Sequence, residues 1–136
     1  MDNLKDPKAE YARYRLDKAK EEYEAAVILL ENEHYRAANN RAYYSVFHAM
    51  RSVLAFDGYD SKKHSGIISE FRKTYIKSGV FPEGLSDIIG NASEIRNASD
   101  YDDMFIASKS ETIEQVENAK VFLSYIEKYV EERLTE

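Results

Sequence analysis

The apolar residues of this chain recur with a helical period over nearly all of its 136 residues, and this restricts the fold more than any other feature. Ala12, Leu16, Ala19, Tyr23, Ala26, Val27 and Leu30 follow one another mostly at steps of three or four, which lays a single apolar stripe along a helix. Lys18, Glu21, Glu22 and Glu31 occupy its other faces. Asp6-Pro7 suits the start of that helix, with the aspartate as cap and the proline at the first helical position. Asn32-Glu33-His34 reads as the turn out of it.

A second helix is predicted from about Tyr35 to Phe56, stopping at Asp57-Gly58, where glycine can take the left-handed conformation. Its core face is Tyr35, Ala42, Val46, Ala49, Met50 and Val53. Tyr43, Phe47 and Leu54 add apolar area on other sides, more than a small bundle needs to cover, which predicts burial against a second subunit. Ser61 is placed as the cap of a third helix carrying Ile67, Ile68, Phe71 and Tyr75 and ended by Ser78-Gly79. Beyond the loop Phe81-Pro82-Glu83-Gly84, a fourth helix carries Leu85, Ile88, Ala92 and Ile95, with Asp100-Tyr101-Asp102-Asp103 at or past its end. Ser110, with Thr112 and Glu114, is placed at the start of a last helix whose core residues are Val116, Leu123, Ile126 and Val130. No strand-like alternation interrupts the series. Long amphipathic helices joined by short loops predict one all-α domain, an antiparallel up-and-down bundle of four to five helices.

Composition removes several classes of function. A net charge of -6 argues against an unspecific polyanion binder, although the field in a cleft depends on the cleft's own charges. The absence of cysteine excludes disulfides, thiolate metal sites and cysteine nucleophiles. No apolar stretch is long enough to span a bilayer, and the segment from Met1 to Pro7 lacks a signal-peptide core, so a cytoplasmic protein is expected. Glycine-rich phosphate loops, Gly-x-Ser-x-Gly and His-Glu-x-x-His are all missing. Asp100, Asp102 and Asp103 are not followed by the glycine and glutamate of a calcium loop, and read as a solvated acidic cluster. Neither a metal nor a cofactor is expected.

Chemistry concentrates in two segments, Asn39 to His48 and Glu94 to Tyr101, each of which sets an arginine beside polar and aromatic residues. A guanidinium is planar, permanently charged and rich in donors, which suits it to phosphate. At about 100° per residue, Arg41, Tyr44, His48 and Arg51 share one side of the second helix. The plainer account is a solvated face whose arginine stems cover apolar surface. Arg96 and Asp100 are four apart and suit a helical ion pair, while Asn97 and Tyr101 share the neighbouring face. Lys63-His64 opens the third helix, where unpaired N–H groups favour anions; the same two residues also fit an exposed first turn.

Four segments in this order resemble a small stand-alone HEPN-domain protein of a short helical subgroup. They are Ala37 to Ala49 (Ala-Ala-Asn-Asn-Arg-Ala-Tyr-Tyr-Ser-Val-Phe-His-Ala), Lys63 to Phe71, Lys77-Ser78-Gly79, and Arg96-Asn97-Ala98-Ser99-Asp100-Tyr101, and the likeness covers roughly Tyr11 to Glu131. The resemblance implies a helical bundle that is usually a homodimer. Many such proteins are encoded beside a minimal nucleotidyltransferase as a toxin–antitoxin pair. Others cleave RNA without metal, using an arginine, a following polar residue and a histidine four to six positions beyond the arginine, in a cleft at the dimer interface. Carried over residue by residue, that motif falls on Arg96 and Asn97, but Tyr101 stands where the histidine is expected. A phenol with a pKa near 10 is a poor base at neutral pH, so little or no ribonuclease activity is expected at this position. Arg41 and His48 offer a second arginine–histidine pair at compatible spacing.

The sequence therefore points first to a dimeric, toxin-like HEPN protein that binds RNA or a nucleotide, partnered by a nucleotidyltransferase. The second reading is a metal-independent endoribonuclease, with Arg96, Tyr101 and His48 as catalytic candidates and Arg41, Tyr44, Lys63, His64 and Asn97 as ligand-binding ones. The third is a helical adaptor without a ligand.

Overall fold

Pro7–Glu31 forms α1, and its amino terminus is closed as the sequence predicts: the Asp6 carboxylate accepts from the Lys8 N–H at 3.0 Å and Pro7 stands in the first turn. The computed structural model describes residues 6–102 and 104–136. Residues 1–5 and Asp103, the last member of the acidic cluster, lie outside the described residues. Glu33, at φ +64°, turns the chain back into α2, Tyr35–Ala55. Gly58 closes the far end at φ +70°, with the Tyr59 N–H bonded back to the Leu54 carbonyl at 3.1 Å.

The remaining elements are α3, His64–Phe71, which runs on into a π-helical turn, Arg72–Ile76; then α4, Gly84–Tyr101, and α5, Lys109–Leu134. The described residues are all helix and connection, so the protein is an all-α bundle. Two helix starts and one core face depart from the sequence reading. The Ser61 hydroxyl accepts from the Lys63 N–H at 3.1 Å and so shapes the turn before α3, while the helix begins only at His64. The last helix is capped by Ser108, whose extended backbone lets its hydroxyl accept from the Glu111 N–H at 3.1 Å; Ser110 lies inside the first turn. On α4 the innermost line is Leu85, Ile89 and Ala92, and Ile88 and Ile95 are only half-buried.

α1 and α2 are antiparallel and unusually small-sided where they meet. Ala12, Ala19 and Ala26 on α1, spaced by seven, are fully buried, as are Ala38, Ser45 and Ser52 on α2. The Ser45 hydroxyl donates to the Ala19 carbonyl at 2.8 Å and that of Ser52 to the Ala12 carbonyl at 2.6 Å. Seven residues forward along α2 match seven back along α1, so the two hydroxyls pin the register as well as satisfying themselves. A side chain no larger than alanine is what lets a serine hydroxyl reach a neighbouring helix's backbone.

Behind this pair the core is filled by Leu16, Met50, Leu54, Phe71, Phe122, Ile126 and Val130. Phe71, Tyr75, Phe81 and Tyr129 form an aromatic group at one end, where Tyr75 donates to the Asp57 carboxylate at 2.6 Å. The apolar surplus of α2 is absorbed within the chain. Tyr43, Phe47 and Leu54 are each at most 4% exposed, because α3 and α4 cover the flank that the sequence assigned to a second subunit.

Enlarging a residue in the α1–α2 seam has nowhere to go. Ala19→Leu is expected to cost about 1–3 kcal/mol through overpacking, with a lowered urea midpoint in a denaturation series. An unchanged midpoint would show that the helices can part without cost.

Candidate functional site

The line Arg41–Tyr44–His48–Arg51 on α2 divides in the folded chain. Arg41 pairs with Glu22 on α1 at 2.9 Å. Arg51 grips Asp60 with two contacts, 2.7 and 3.0 Å, and also donates to the Tyr11 hydroxyl at 3.0 Å. Burial works against the Asp60 charge, but hydrogen bonds from Arg51, the Ser61 N–H and Tyr11 outweigh it and hold the carboxyl below its usual range. His48 meets Arg15 of α1, Nδ1 to guanidinium at 3.1 Å. An arginine can only donate, so this nitrogen accepts and the ring proton sits on Nε2. Burial, then the charges of Arg15 and Arg51, lower the His48 pKa to about 4. Its one lone pair is engaged and its basicity is weak, both unfavourable to a general base at neutral pH.

Tyr44 turns the other way, toward α4. The Arg96 guanidinium lies 5.1 Å from the Tyr43 ring centre and 5.8 Å from that of Tyr44, within cation–π range of both. Arg41 approaches the Tyr44 ring as well, at 5.4 Å. Tyr43 and His64 are joined at 2.7 Å through the hydroxyl and Nδ1, and the His64 ring stacks on Phe47 with centres 4.0 Å apart. Burial raises the Tyr43 pKa to about 12, against the lowering effect of Arg96, so the phenol stays protonated. Burial and then the Arg96 and Arg51 charges lower that of His64, which is therefore neutral at pH 7. Burial also disfavours the Arg96 charge, but Tyr44, Tyr43 and Asp100 more than restore it.

Arg96, Tyr43, Tyr44 and His64 thus come from three helices to one place. Arg96 also sits 3.3 Å from the Asp100 carboxylate, the ion pair its spacing predicts. That approach lacks hydrogen-bond geometry, and the buried Arg96 Nε has no acceptor. Other side-chain atoms on α2 and α4 are also buried without a partner: both amide atoms of Asn39, Oδ1 of Asn40 and Oγ of Ser93. Such groups cost roughly 1–3 kcal/mol each when nothing bonds them, and they mark places that call for an explanation. Below them, Arg36 donates to the Ser99 hydroxyl at 3.1 Å and to its carbonyl, tying the start of α2 to the end of α4. Open clefts of about 560 and 600 Å³ adjoin the cluster, one bordered by Asn40 and Asp100, the other by Phe47 and His64.

The other candidates stand apart. Tyr101 is 80% exposed in the last turn of α4 and Asn97 is exposed, and among the described residues the partners of Arg96 are Asp100, Tyr43 and Tyr44 instead. Lys63 is exposed ahead of α3. Tyr43, Asn39, Ser93 and Arg36 complete the neighbourhood without having been singled out in the sequence. For Tyr43 and Asn39 a signal existed, since both lie in the Asn39–His48 segment, but an apolar ring and a small amide there read equally as core. No group of three or more histidine or acidic side chains suited to a metal occurs among the described residues.

Comparison with known proteins agrees with this architecture. The family model described as the HEPN domain matches residues 12–129, and the chain belongs to that family. It is 31% identical over 130 residues to a UPF0332 protein of Thermotoga maritima, covering 96% of both chains. It is 34% identical over 117 residues to a protein named "Putative toxin MJ0605" of Methanocaldococcus jannaschii, covering 85% of this chain and 86% of that one. Two solved structures share the fold: TT1696 from Thermus thermophilus, with TM-score 0.72, 20% identity and coverage of 86% and 96%, and ST0689, an archaeal HEPN homologue, with TM-score 0.63, 16% identity and coverage of 88% and 97%. No helix among the described residues is long and apolar enough to cross a membrane.

The histidines give a pH test. An unfolded His48 titrates near 6.5, whereas in the fold it does so at about 4. The unfolded chain therefore binds the extra proton first, and His48 costs stability as pH falls from about 6.5 toward 4. His48→Gln keeps an acceptor for Arg15 without that proton. Its melting temperature is expected to fall less than the wild type's between pH 7 and pH 5, measured by circular dichroism; equal falls would mean that His48 titrates normally.

Proposed function

We propose that this HEPN protein is an RNA- or nucleotide-binding, toxin-like component of a toxin–antitoxin pair whose other member is a minimal nucleotidyltransferase. The observation that carries the reading is Arg96. Its charge is maintained against burial, it lies on two tyrosine rings, and Asn39 and Asn40 on the neighbouring helix α2 carry buried polar atoms without a partner. A phosphate would satisfy the guanidinium, and a base would stack on the aromatic rings. The toxin character is supported by relatives that carry that name. Tyr101, 80% exposed, suits modification by a partner enzyme. A homodimer belongs to the same reading; the exposed run Tyr101, Met104 and Ile106, 80–87% exposed, offers it an apolar surface beside α4.

One observation favours the second reading, metal-independent ribonuclease. The imidazole lacking at position 101 has a counterpart in His64, which reaches the Tyr43 and Tyr44 rings from α3. His64, rather than His48 or Tyr101, is the base that reading would require.

Two measurements separate these functions. Arg96→Ala is expected to weaken binding of a fluorescein-labelled RNA and of ATP at least about tenfold, the loss of one charge-assisted phosphate contact. Unchanged affinity for both would remove Arg96 from the site. In EDTA the wild type is expected to leave RNA intact. Cleavage to 2′,3′-cyclic phosphate ends that persists in Tyr101→Phe and His48→Ala but disappears in His64→Ala would establish the ribonuclease instead.

A further inference from the structure

A groove of about 870 Å³ lies between α3 with its π-helical turn and α4. Its charge runs against that of the chain. Residues 61–77 carry five lysines and arginines and one glutamate, in a protein of net charge -6. Three of those cations, Arg72, Lys73 and Lys77, line the groove, opposed by the single carboxylate of Glu83. Lys73 and Lys77 are exposed and have no ion pair among the described residues.

The π-helical turn is what gathers them. In an α-helix, residues five apart point about 140° away from each other. Here the Lys77 N–H bonds to the Arg72 carbonyl at 2.8 Å, an i→i+5 link that draws the two side chains toward one line. Arg72 reaches across to α4, donating to the Ser86 hydroxyl and carbonyl, both at 3.0 Å. Gly90 leaves room for it: a Cβ there would stand 3.4 Å from the guanidinium. These two bonds use two of the five guanidinium donors, and the others have no partner among the described residues. Ser93, on the groove wall, adds a buried hydroxyl without a partner. Ser93 lies one helical turn before Arg96 on α4, so the wall of the groove leads toward the arginine.

We propose that this groove is a phosphodiester-binding track that guides single-stranded RNA toward Arg96. Cations spread along one edge, with hydroxyl groups on the opposite wall, match a backbone of repeated phosphates better than one isolated anion. The direction of the track rests on the Arg96 reading; its charge does not.

The test is fluorescence anisotropy with a labelled 12-nucleotide single-stranded RNA, and displacement by AMP, across a salt series. Lys73→Glu/Lys77→Glu is expected to weaken the RNA at least about tenfold and to flatten the salt dependence by roughly 1.4 in log–log slope, two single-strand phosphate contacts. AMP affinity should be unchanged, because a mononucleotide occupies only the Arg96 end. Lys73→Gln/Lys77→Gln should show a smaller loss of the same kind. Lys120→Glu/Lys128→Glu on α5, with the same change of net charge, should bind RNA as the wild type does. RNA binding by the Lys73/Lys77 variants equal to wild type, or an equal loss in the α5 variant, overturns the track and leaves the Arg96 reading intact. RNA binding lost in the Lys73/Lys77 variants but unaffected by Arg96→Ala supports the groove and overturns the Arg96 reading.

Discussion

Everything in this bundle is hung on the close approach of α1 and α2. Alanines at seven-residue spacing leave no side chain between the helices, and Ser45 and Ser52 convert that proximity into hydrogen bonds to the facing backbone. A neutral hydrogen bond contributes only about 1 kcal/mol net. Its larger effect here is geometric, because a slip of one residue would leave both buried hydroxyls unsatisfied. The same approach lets long side chains bridge the rims of the seam, Arg41 to Glu22, Arg15 to His48 and Arg51 to Tyr11.

With one flank of α2 committed to α1, its chemistry is pushed to the opposite flank. Two arginines and a histidine that share a face in projection are consumed by that first partnership, and Tyr43 and Tyr44 are left to meet α3 and α4. There the dielectric is low enough for direction to matter. Tyr43 stays protonated, His64 stays neutral, and Arg96 keeps its charge on aromatic faces. A charged group flanked by neutral donors and acceptors is suited to receive an anion, and among the described residues Asp100 is the only carboxylate that pairs with it.

The acidic surface and the basic stretch from Lys62 to Lys77 are compatible because fields in an exposed protein are local, screened within about 8–10 Å at ordinary salt. Net charge governs the behaviour of the whole molecule at a distance, but a groove with three cations on its edge presents its own potential to a ligand already close. The π-helical turn serves that arrangement at a cost in regular hydrogen bonding, a departure that often accompanies functional sites.

How much of this was legible beforehand follows from the range of the forces involved. Helical period, the Asp6 cap, the Gly58 stop and the ion pair of Arg96 with Asp100 depend on residues a few positions apart, and the sequence alone determined them. The motif segments also led to Arg96, Tyr44 and His64. What remained undecided was which partner each side chain meets. Arg41, His48 and Arg51 look alike on a helical projection, but only the docking of α1 ties them down. Tyr43 and Phe47 read as surface for a second subunit until α3 and α4 cover them. Ser108 rather than Ser110 caps α5 because an extended backbone at that position, set by the preceding loop, is what lets a hydroxyl reach back. The split between Arg96, turned inward, and Tyr101, turned outward, arises where α4 meets α2, and that is a property of the tertiary structure alone.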